Sequence, residues 1–346
     1  MKIDSIGVRI PSRVITNDEV LKLLEQYSPD ASALLVKTYQ RIVRGLFSAA
    51  GSQFRRVRDE EKGEKASDFI LGAMTDALEK ANLKPEDIDL LMYCGVGKGF
   101  LEPANAYFYA QKLGMTASCF DIVDACMSWI RALEISYEFF KSGRYKHIMI
   151  ANGEFNIYRG FPDNFKIRDL RMVEYTFPTY TIGEAASATI LSPSDFEWKF
   201  AYKSIPSLAD LCTIPLDGYD NFVEPSKRLG RNGLHNFVSY GRELFDAARK
   251  YLAPLVKELV QDLNDPDIYF PHAASDAAYL AASKDHSLPV EKMFAEVFPN
   301  YGNLVSASIP VGMDMALKSG RLKRGSKVVF CPASAGMVYS AVQFVY

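Results

Sequence analysis

The 346-residue sequence predicts an α/β protein built from two copies of one unit. Three observations carry that prediction. A signature repeats: Cys126 to Gly143 spans 143 − 126 = 17 residues, and Asn303 to Gly320 spans 320 − 303 = 17. Each span is apolar and ends in Lys-Ser-Gly-Arg, at Lys141–Arg144 and Lys318–Arg321. A strand-like run follows each, His147–Ala151 and Lys327–Cys331. Upstream of each, a helix, a breaker and a strand recur, which aligns Asp87-Ile88 with Asp267-Ile268. Internal self-similarity is the first thing that fixes an architecture. Strands alternating with helices predict parallel sheets covered on both faces.

The elements follow in order. Met1–Val8 reads as a first strand; it lacks the charged head and long apolar core of a signal peptide. Residues 28–60 read as irregular, with a basic cluster at Arg55-Arg56-Val57-Arg58. A solvated face is the ordinary reading of that cluster, and a diphosphate or carrier-protein contact the sharper one. Over 63–82, Ala66, Phe69, Ile70, Ala73, Met74, Ala77 and Leu78 recur at helical spacing. Pro85-Glu86-Asp87 breaks that helix before a buried strand, Ile88–Cys94. Phe120–Val123 is a strand leading into Cys126. Residues 155–180 carry no clean period. Their aromatics Tyr158, Phe161, Phe165, Tyr175, Phe177 and Tyr180 are available to line a pocket or to pack on the body. Leu244–Leu263 reads as a helix, Asp265-Pro266 as its break, and Ile268–Phe270 as a strand that delivers Pro271-His272.

Composition narrows the classes. Hydrophobic residues make up 48% of the chain, enough for a large core, and the net charge is −2. No basic stripe tracks a phosphate backbone, so nucleic acid is not an expected partner. No window is apolar for long enough to span a bilayer. The five cysteines, at 94, 119, 126, 212 and 331, are odd in number and form no CxxC pair. That argues against a zinc site or a disulfide framework and fits a reducing cytoplasm.

Three residues stand out chemically. Cys126 sits between a strand and a helix, where a sharp turn lifts a side chain into a cavity and the helix N-terminus favours thiolate. A free cysteine is more often inert core, the reading given to Cys94, Cys119, Cys212 and Cys331. His272 lies at a strand end, where open α/β sheets place ligands. Facing a cysteine elbow, it could serve as acid or base. Asn303 reads either as a helix N-cap or as a donor to a developing oxyanion or enolate.

The motifs Asp121-Ile122-Val123-Asp124-Ala125-Cys126, Ile268-Tyr269-Phe270-Pro271-His272, Tyr301-Gly302-Asn303 through Ser308-Ile309-Pro310, and Ser334-Ala335-Gly336 together resemble the thiolase superfamily, within it the ketoacyl-ACP synthase III-like condensing enzymes. The resemblance covers nearly the whole chain. It implies a five-layered αβαβα thiolase fold from two pseudo-symmetric halves, 1–198 carrying the nucleophilic cysteine and 199–346 carrying the histidine and asparagine. It implies a Cys126, His272, Asn303 triad and an oxyanion hole from the backbone of Cys126 and the loop at Ala335 and Gly336. It implies an acyltransferase without a cofactor or metal, taking CoA or carrier-protein thioesters, as a homodimer or a pseudo-symmetric heterodimer. The expected reaction is acylation of Cys126 followed by Claisen condensation with a malonyl-type or acyl thioester. Transfer to an oxygen or nitrogen nucleophile is one alternative, and a silent partner subunit another.

Three departures point to a specialised pathway rather than fatty-acid initiation. The terminal loop is usually all glycine, but here reads Ser334-Ala335-Gly336. The usual His-Gln-Ala-Asn becomes His272-Ala273-Ala274-Ser275. No tryptophan segment for CoA adenine appears in the N-terminal region. The stretch Phe100-Leu101-Glu102-Pro103-Ala104 is similar to the head-to-head acyl-CoA condensing enzymes of olefin synthesis. There the position of Glu102 serves as a base across the dimer, and Phe100 and Leu101 lie near the partner's acyl tunnel.

Overall fold

The computed structural model describes residues 1–155, 162–272 and 274–346. Two mixed sheets form its frame. In the first, the strands run in the order Lys2–Arg9, Ala185–Ser192, Ile148–Glu154, Leu90–Cys94, Ser118–Ile122. The last three are mutually parallel, and Ala185–Ser192 is antiparallel to both its neighbours. In the second, Ile268–Pro271 pairs parallel with Lys327–Cys331, and Val338–Val345 lies antiparallel between Lys327–Cys331 and Trp198–Ser204. The purely parallel sheets expected from alternating elements are therefore corrected to mixed ones. Val338–Val345 follows Lys327–Cys331 too closely for a crossover helix, so it returns antiparallel, and Ala185–Ser192 takes the same direction in the first sheet.

The two sheets are copies. Their common part is a parallel pair extended by two antiparallel strands. The fifth strand of the first sheet, Ser118–Ile122, shrinks in the second to a single bridge between Tyr269 and Met293. The aligning residue differs from the sequence alignment. Asp89 Oδ2 accepts the Lys146 and His147 N–H groups, and Asp267 Oδ2 accepts that of Lys327. Asp267 thus matches Asp89, not Asp87. The first sheet lies within residues 2–192 and the second within 198–345, so the expected boundary at 198 falls at the first residue of a strand.

Strand alternation assigns the layers. Leu90, Met92, Ile148 and Ile150 of one sheet and Ile268, Phe270, Val328 and Phe330 of the other share one central core. Between them lie the helices Ser128–Lys141 and Ser308–Lys318. Trp129 of the first of these helices packs on Phe330 of the far sheet, with ring centroids 5.5 Å apart. The opposite faces carry Leu91, Tyr93, Met149 and Ala151 under helix Ala66–Ala81, and Tyr269, Val329 and Tyr339 under helix Gly241–Leu259. The result is the five-layered αβαβα thiolase fold.

Two sequence readings are corrected. Residues 28–60 are not irregular: Ala33–Ala50 is a helix capped by Ser32 and ended by left-handed Gly51, with Val36, Tyr39, Val43, Phe47 and Ala50 buried. Ile42 and Leu46 flank that buried face, so the helix carries one broad apolar stripe at helical spacing, a period the sequence reading passed over. The basic cluster is not a solvated face. Arg55 is fully buried, bonded to Asn17 and Ser52 and lying over the Phe47 ring. Arg58 pairs with buried Glu184 at 3.2 Å. In the 155–180 stretch, Phe165, Tyr175 and Tyr180 are core residues, and Tyr180 bonds Tyr39 at 3.0 Å. Tyr158, Phe161 and Ala273 lie outside the described residues.

Candidate active site

Cys126 sits in a tight turn, Ala125–Met127, between the strand Ser118–Ile122 and the helix Ser128–Lys141. Ala125 adopts φ +44°, a left-handed conformation that costs a non-glycine residue and persists only when its surroundings enforce it. Several bonds do so here. Met127 N–H donates to the Asp124 carbonyl at 2.8 Å, and Asp124 N–H to Ser128 Oγ at 2.8 Å. Arg131 Nε donates to Asp124 Oδ2 at 2.9 Å. Ser334 adds a staple from the other half: its Oγ accepts the Met127 N–H and donates to the Asp124 carbonyl, both at 3.2 Å. The hydroxyl introduced where glycine is usual is therefore spent on the elbow.

The Ala335 N–H and the Cys126 N–H lie near the Cys126 sulfur. These favour thiolate, as a helix N-terminus was expected to do. They are outweighed. Burial pushes the thiol well above the usual cysteine value, and Cys212 and Glu154 push it the same way. Burial likewise lowers the His272 imidazole to about 4. The resting pair is a neutral thiol and a neutral imidazole.

Asn303 is held by its backbone and by its own side chain. Its N–H donates to the Thr181 carbonyl at 2.8 Å, and its carbonyl accepts from Gly183 N–H at 3.0 Å. This approach needs glycine: a Cβ on Gly302 would sit 2.4 Å from the Thr181 oxygen, and one on Gly183 2.0 Å from the Tyr301 oxygen. Asn303 Oδ1 accepts the Val305 N–H at 2.9 Å. Capping the turn thus occupies the amide oxygen and leaves the NH2 group as the end available to a ligand.

Cys126, His272 and Asn303 all line one apolar cavity of about 1680 Å³. Ligand pockets usually run to about 300–1,000 Å³. Ile42 and Leu46 of helix Ala33–Ala50 wall one side, and Leu244, Ala248 and Leu252 of helix Gly241–Leu259 another. Phe100 and Leu101 line the mouth and are largely exposed, with Phe100 stacked on Phe108 at 4.6 Å. Phe177 reaches the cavity as well. Glu102 is exposed and off the wall of its own cavity, and so is Gly336, which leaves Ala335 and Cys126 as the backbone donors at the sulfur.

Sequence reasoning missed Glu154 and Ser306 behind these three residues, and it noted Ser334 as a departure without its role as a staple. It also equated Cys126 with Asn303. The structure pairs Cys126 with Ser306, since 306 − 126 = 180. Val305 matches Ala125 in φ, at +51° against +44°. The Ala307 N–H to Leu304 carbonyl bond matches that from Met127 to Asp124. Both spans measure 17 because helix Ser308–Lys318 has 11 residues against the 14 of Ser128–Lys141, and Asn303 stands three residues before Ser306.

Residues 259–346 match the family described as 3-oxoacyl-[acyl-carrier-protein] synthase III, C-terminal. The β-ketoacyl-[acyl-carrier-protein] synthase III of Clostridium acetobutylicum is 27% identical over 349 residues, covering 99% of this chain and 97% of that protein. The crystal structure of the Aquifex aeolicus synthase III superposes with TM-score 0.78 at 24% identity, covering 100% and 99% of the two chains. Xanthomonas campestris OleA, crystallised as a cysteine-to-serine variant with bound lauric acid and lauroyl-CoA, superposes with TM-score 0.82 at 22% identity, covering 99% and 98%. No helix among the described residues is long and apolar enough to cross a membrane. From its doubled sheets to its C-terminal strands, the chain has the thiolase fold, and over nearly its whole length it is similar to the ketoacyl-ACP synthase III enzymes.

Proposed function

We propose that this condensing enzyme loads a long acyl chain onto Cys126 and joins it, carbon to carbon, to a second thioester. The observation that carries this reading is the meeting of Cys126, His272 and Asn303 on one apolar cavity of about 1680 Å³. Cys126 sulfur attacks the carbonyl of an acyl-CoA or acyl-carrier thioester. His272, neutral at ordinary pH, takes the thiol proton, and the leaving thiol carries a proton away. The Cys126 and Ala335 N–H groups receive the oxyanion; donors so placed are worth roughly 3–4 kcal/mol each. In the second stage the incoming thioester carbonyl lies between His272 and the Asn303 NH2 group. Its α-carbon, freed of carboxylate or proton, attacks the acyl-cysteine, and the Cys126 thiolate leaves. No cofactor or metal is called on. The working form is a homodimer, with a heterodimer as the alternative.

Head-to-head condensation of two acyl thioesters is a second reading. The cavity volume and the exposure of Glu102 beside Phe100 and Leu101 favour it. Glu102 of the partner subunit would then take the α-proton.

Intact-protein mass spectrometry after incubation with acyl-CoA donors of graded length tests the first stage. One acyl mass added to wild type and none to Cys126→Ala is expected. No adduct from any CoA or carrier-bound donor would overturn the reading in favour of a silent subunit. Adding malonyl-CoA or a second acyl-CoA then distinguishes the two condensations by carbon dioxide release. Glu102→Gln should stop only the one that releases none.

A further inference from the structure

The elbow at Ser306 has its own staple, and that staple is a carboxylate. Glu154 ends the strand Ile148–Glu154 and is 1% exposed. Its Oε1 accepts the Ser306 N–H at 3.2 Å and also the Ser306 hydroxyl. Its Oε2 accepts the Val96 N–H at 3.1 Å, in the loop that leads to Phe100 and Leu101 at the cavity mouth. Asn152, two residues earlier, donates from Nδ2 to Ser306 Oγ at 2.9 Å. Glu154 occupies the position of Ser334 in the other half, since 334 − 154 = 180. Ser334 reaches across to the Cys126 elbow, and Glu154 reaches across to the Ser306 elbow. The staples are reciprocal, but only one is ionisable.

We infer that Glu154 is a positioning residue for Asn303, acting through Ser306 to fix the turn whose amide meets the second thioester. This deepens the function proposed above and rests on that reading of Asn303. The mechanical link is short. Asn303 Oδ1 is bonded to Val305 N–H, and the next residue, Ser306, is held by Glu154 through both its N–H and its hydroxyl. Releasing Ser306 frees the left-handed Val305 to relax, and Asn303 moves with it. A misplacement of about 1 Å at a reacting centre can cost around 100-fold in rate. The Cys126 elbow, stapled by Ser334, keeps its geometry, and removing the Glu154 carboxylate takes away a charge that opposes the Cys126 thiolate. Acylation should therefore survive where condensation fails.

The test compares wild type, Glu154→Ala and Glu154→Gln. Glutamine can turn its carbonyl toward Ser306 and keep that tie, losing the acceptor for Val96 and Gly97. The expected result is acylation of Cys126 within about twofold of wild type in both variants, by mass spectrometry. Condensation should fall about 100-fold in Glu154→Ala and recover most of that in Glu154→Gln. Adding Glu154→Ala to Asn303→Ala should cost little further, because both remove the same placement. Crystal structures of the two variants decide the placement even if no donor acylates the enzyme. A shifted Asn303–Ser306 turn in Glu154→Ala, with an unmoved Asp124–Met127 turn, supports the inference. An unmoved Asn303, or equal loss of both half-reactions, overturns it. Absence of acylation in wild type would instead overturn the proposed function. If Glu154→Ala does not fold, Ser306→Ala, which removes the hydroxyl half of the tie and keeps the N–H half, takes its place, with the same pattern of spared acylation and slowed condensation expected at smaller size.

Discussion

The elbow at Cys126 and the elbow at Ser306 share a backbone and differ in what the backbone presents. Each has a non-glycine residue at positive φ, a three-residue turn and a helix behind it. Each is tied by a side chain from the strand end of the opposite half. In the first, the turn presents the sulfur to the cavity, with Ala335 N–H at its side. In the second, the matching position is a serine turned inward to Glu154, and the group on the cavity is Asn303, three residues earlier. Duplication supplied two equal frames. Chemistry was divided between them by using different positions of the same turn.

Removing the asymmetric groups should give the largest effects. Asn303→Ala is expected to lower the condensation rate by about 10²–10³-fold, the range for one oxyanion donor, while Cys126 still acylates. Equal loss in both stages, followed in single turnovers, would show that the two elbows do not divide the work. Next come the helices behind the elbows. Trp129 fills the central layer, 1% exposed, with Nε1 donating to Thr189 Oγ1 at 3.1 Å. Ile309, its counterpart 180 positions on, is 5% exposed. Trp129→Ala should cost about 3–5 kcal/mol in denaturant unfolding, and Ile309→Ala about 2–5. A Trp129→Ala cost below that of Ile309→Ala would mean that the second helix anchors the core.

Ser334→Ala should give a smaller effect, confined to the first elbow. It leaves the buried Met127 N–H without its Ser334 acceptor, a loss of about 1–3 kcal/mol. The Asp124 carbonyl, which still receives that N–H, places the result at the lower end. Acylation should slow more than condensation of a preloaded acyl-enzyme. A Ser334→Ala enzyme that acylates normally and is as stable as wild type would make this hydroxyl a bystander.

The contrast also explains what was legible in the sequence. The doubled α/β order could be read because Lys-Ser-Gly-Arg and the strands after it are local patterns. Cys126, His272 and Asn303 could be singled out because each lies at an element boundary with usable chemistry, and the cavity gathers all three. The equation of Cys126 with Asn303 failed because a three-residue shortening of the second helix cancels a three-residue displacement before it. Equal spacing concealed unequal positions. Helix Ala33–Ala50 was legible and was passed over: Val36, Tyr39, Val43, Phe47 and Ala50 recur at helical spacing, with Ile42 and Leu46 widening the same stripe toward the cavity. Arg55 and Arg58 looked like surface because charge is usually solvated; Asn17, Ser52 and Glu184 supply the partners that allow burial. Ser334 stood out as a departure from glycine but its partner did not, and Glu154 did not stand out at all, because a staple across two halves leaves no local pattern in either one.

The smallest expected effect is in the wild type, where two buried groups oppose each other with pH. Glu154 is pushed up to about 7, chiefly by burial, against the hydrogen bonds from Ser306, Val96 and Gly97. Its folded value lies above its unfolded one, so its contribution to stability is complete below about pH 4.5 and is lost as pH rises through 7. His272 is lowered to about 4. Its contribution is complete above about pH 6.5 and is lost as pH falls through 4. Between about pH 6.5 and 4.5 the folded state favours the proton at Glu154 and refuses it at His272, so these two contributions nearly cancel. Single substitutions should expose each half. His272→Ala should become relatively more stable than wild type on acidification, because only the Glu154 term remains. Glu154→Gln should become relatively less stable over the same range, because only the His272 term remains. Thermal unfolding at closely spaced pH values checks both slopes. Parallel pH profiles for all three proteins would mean that the second elbow holds its carboxylate as comfortably as the first holds its serine.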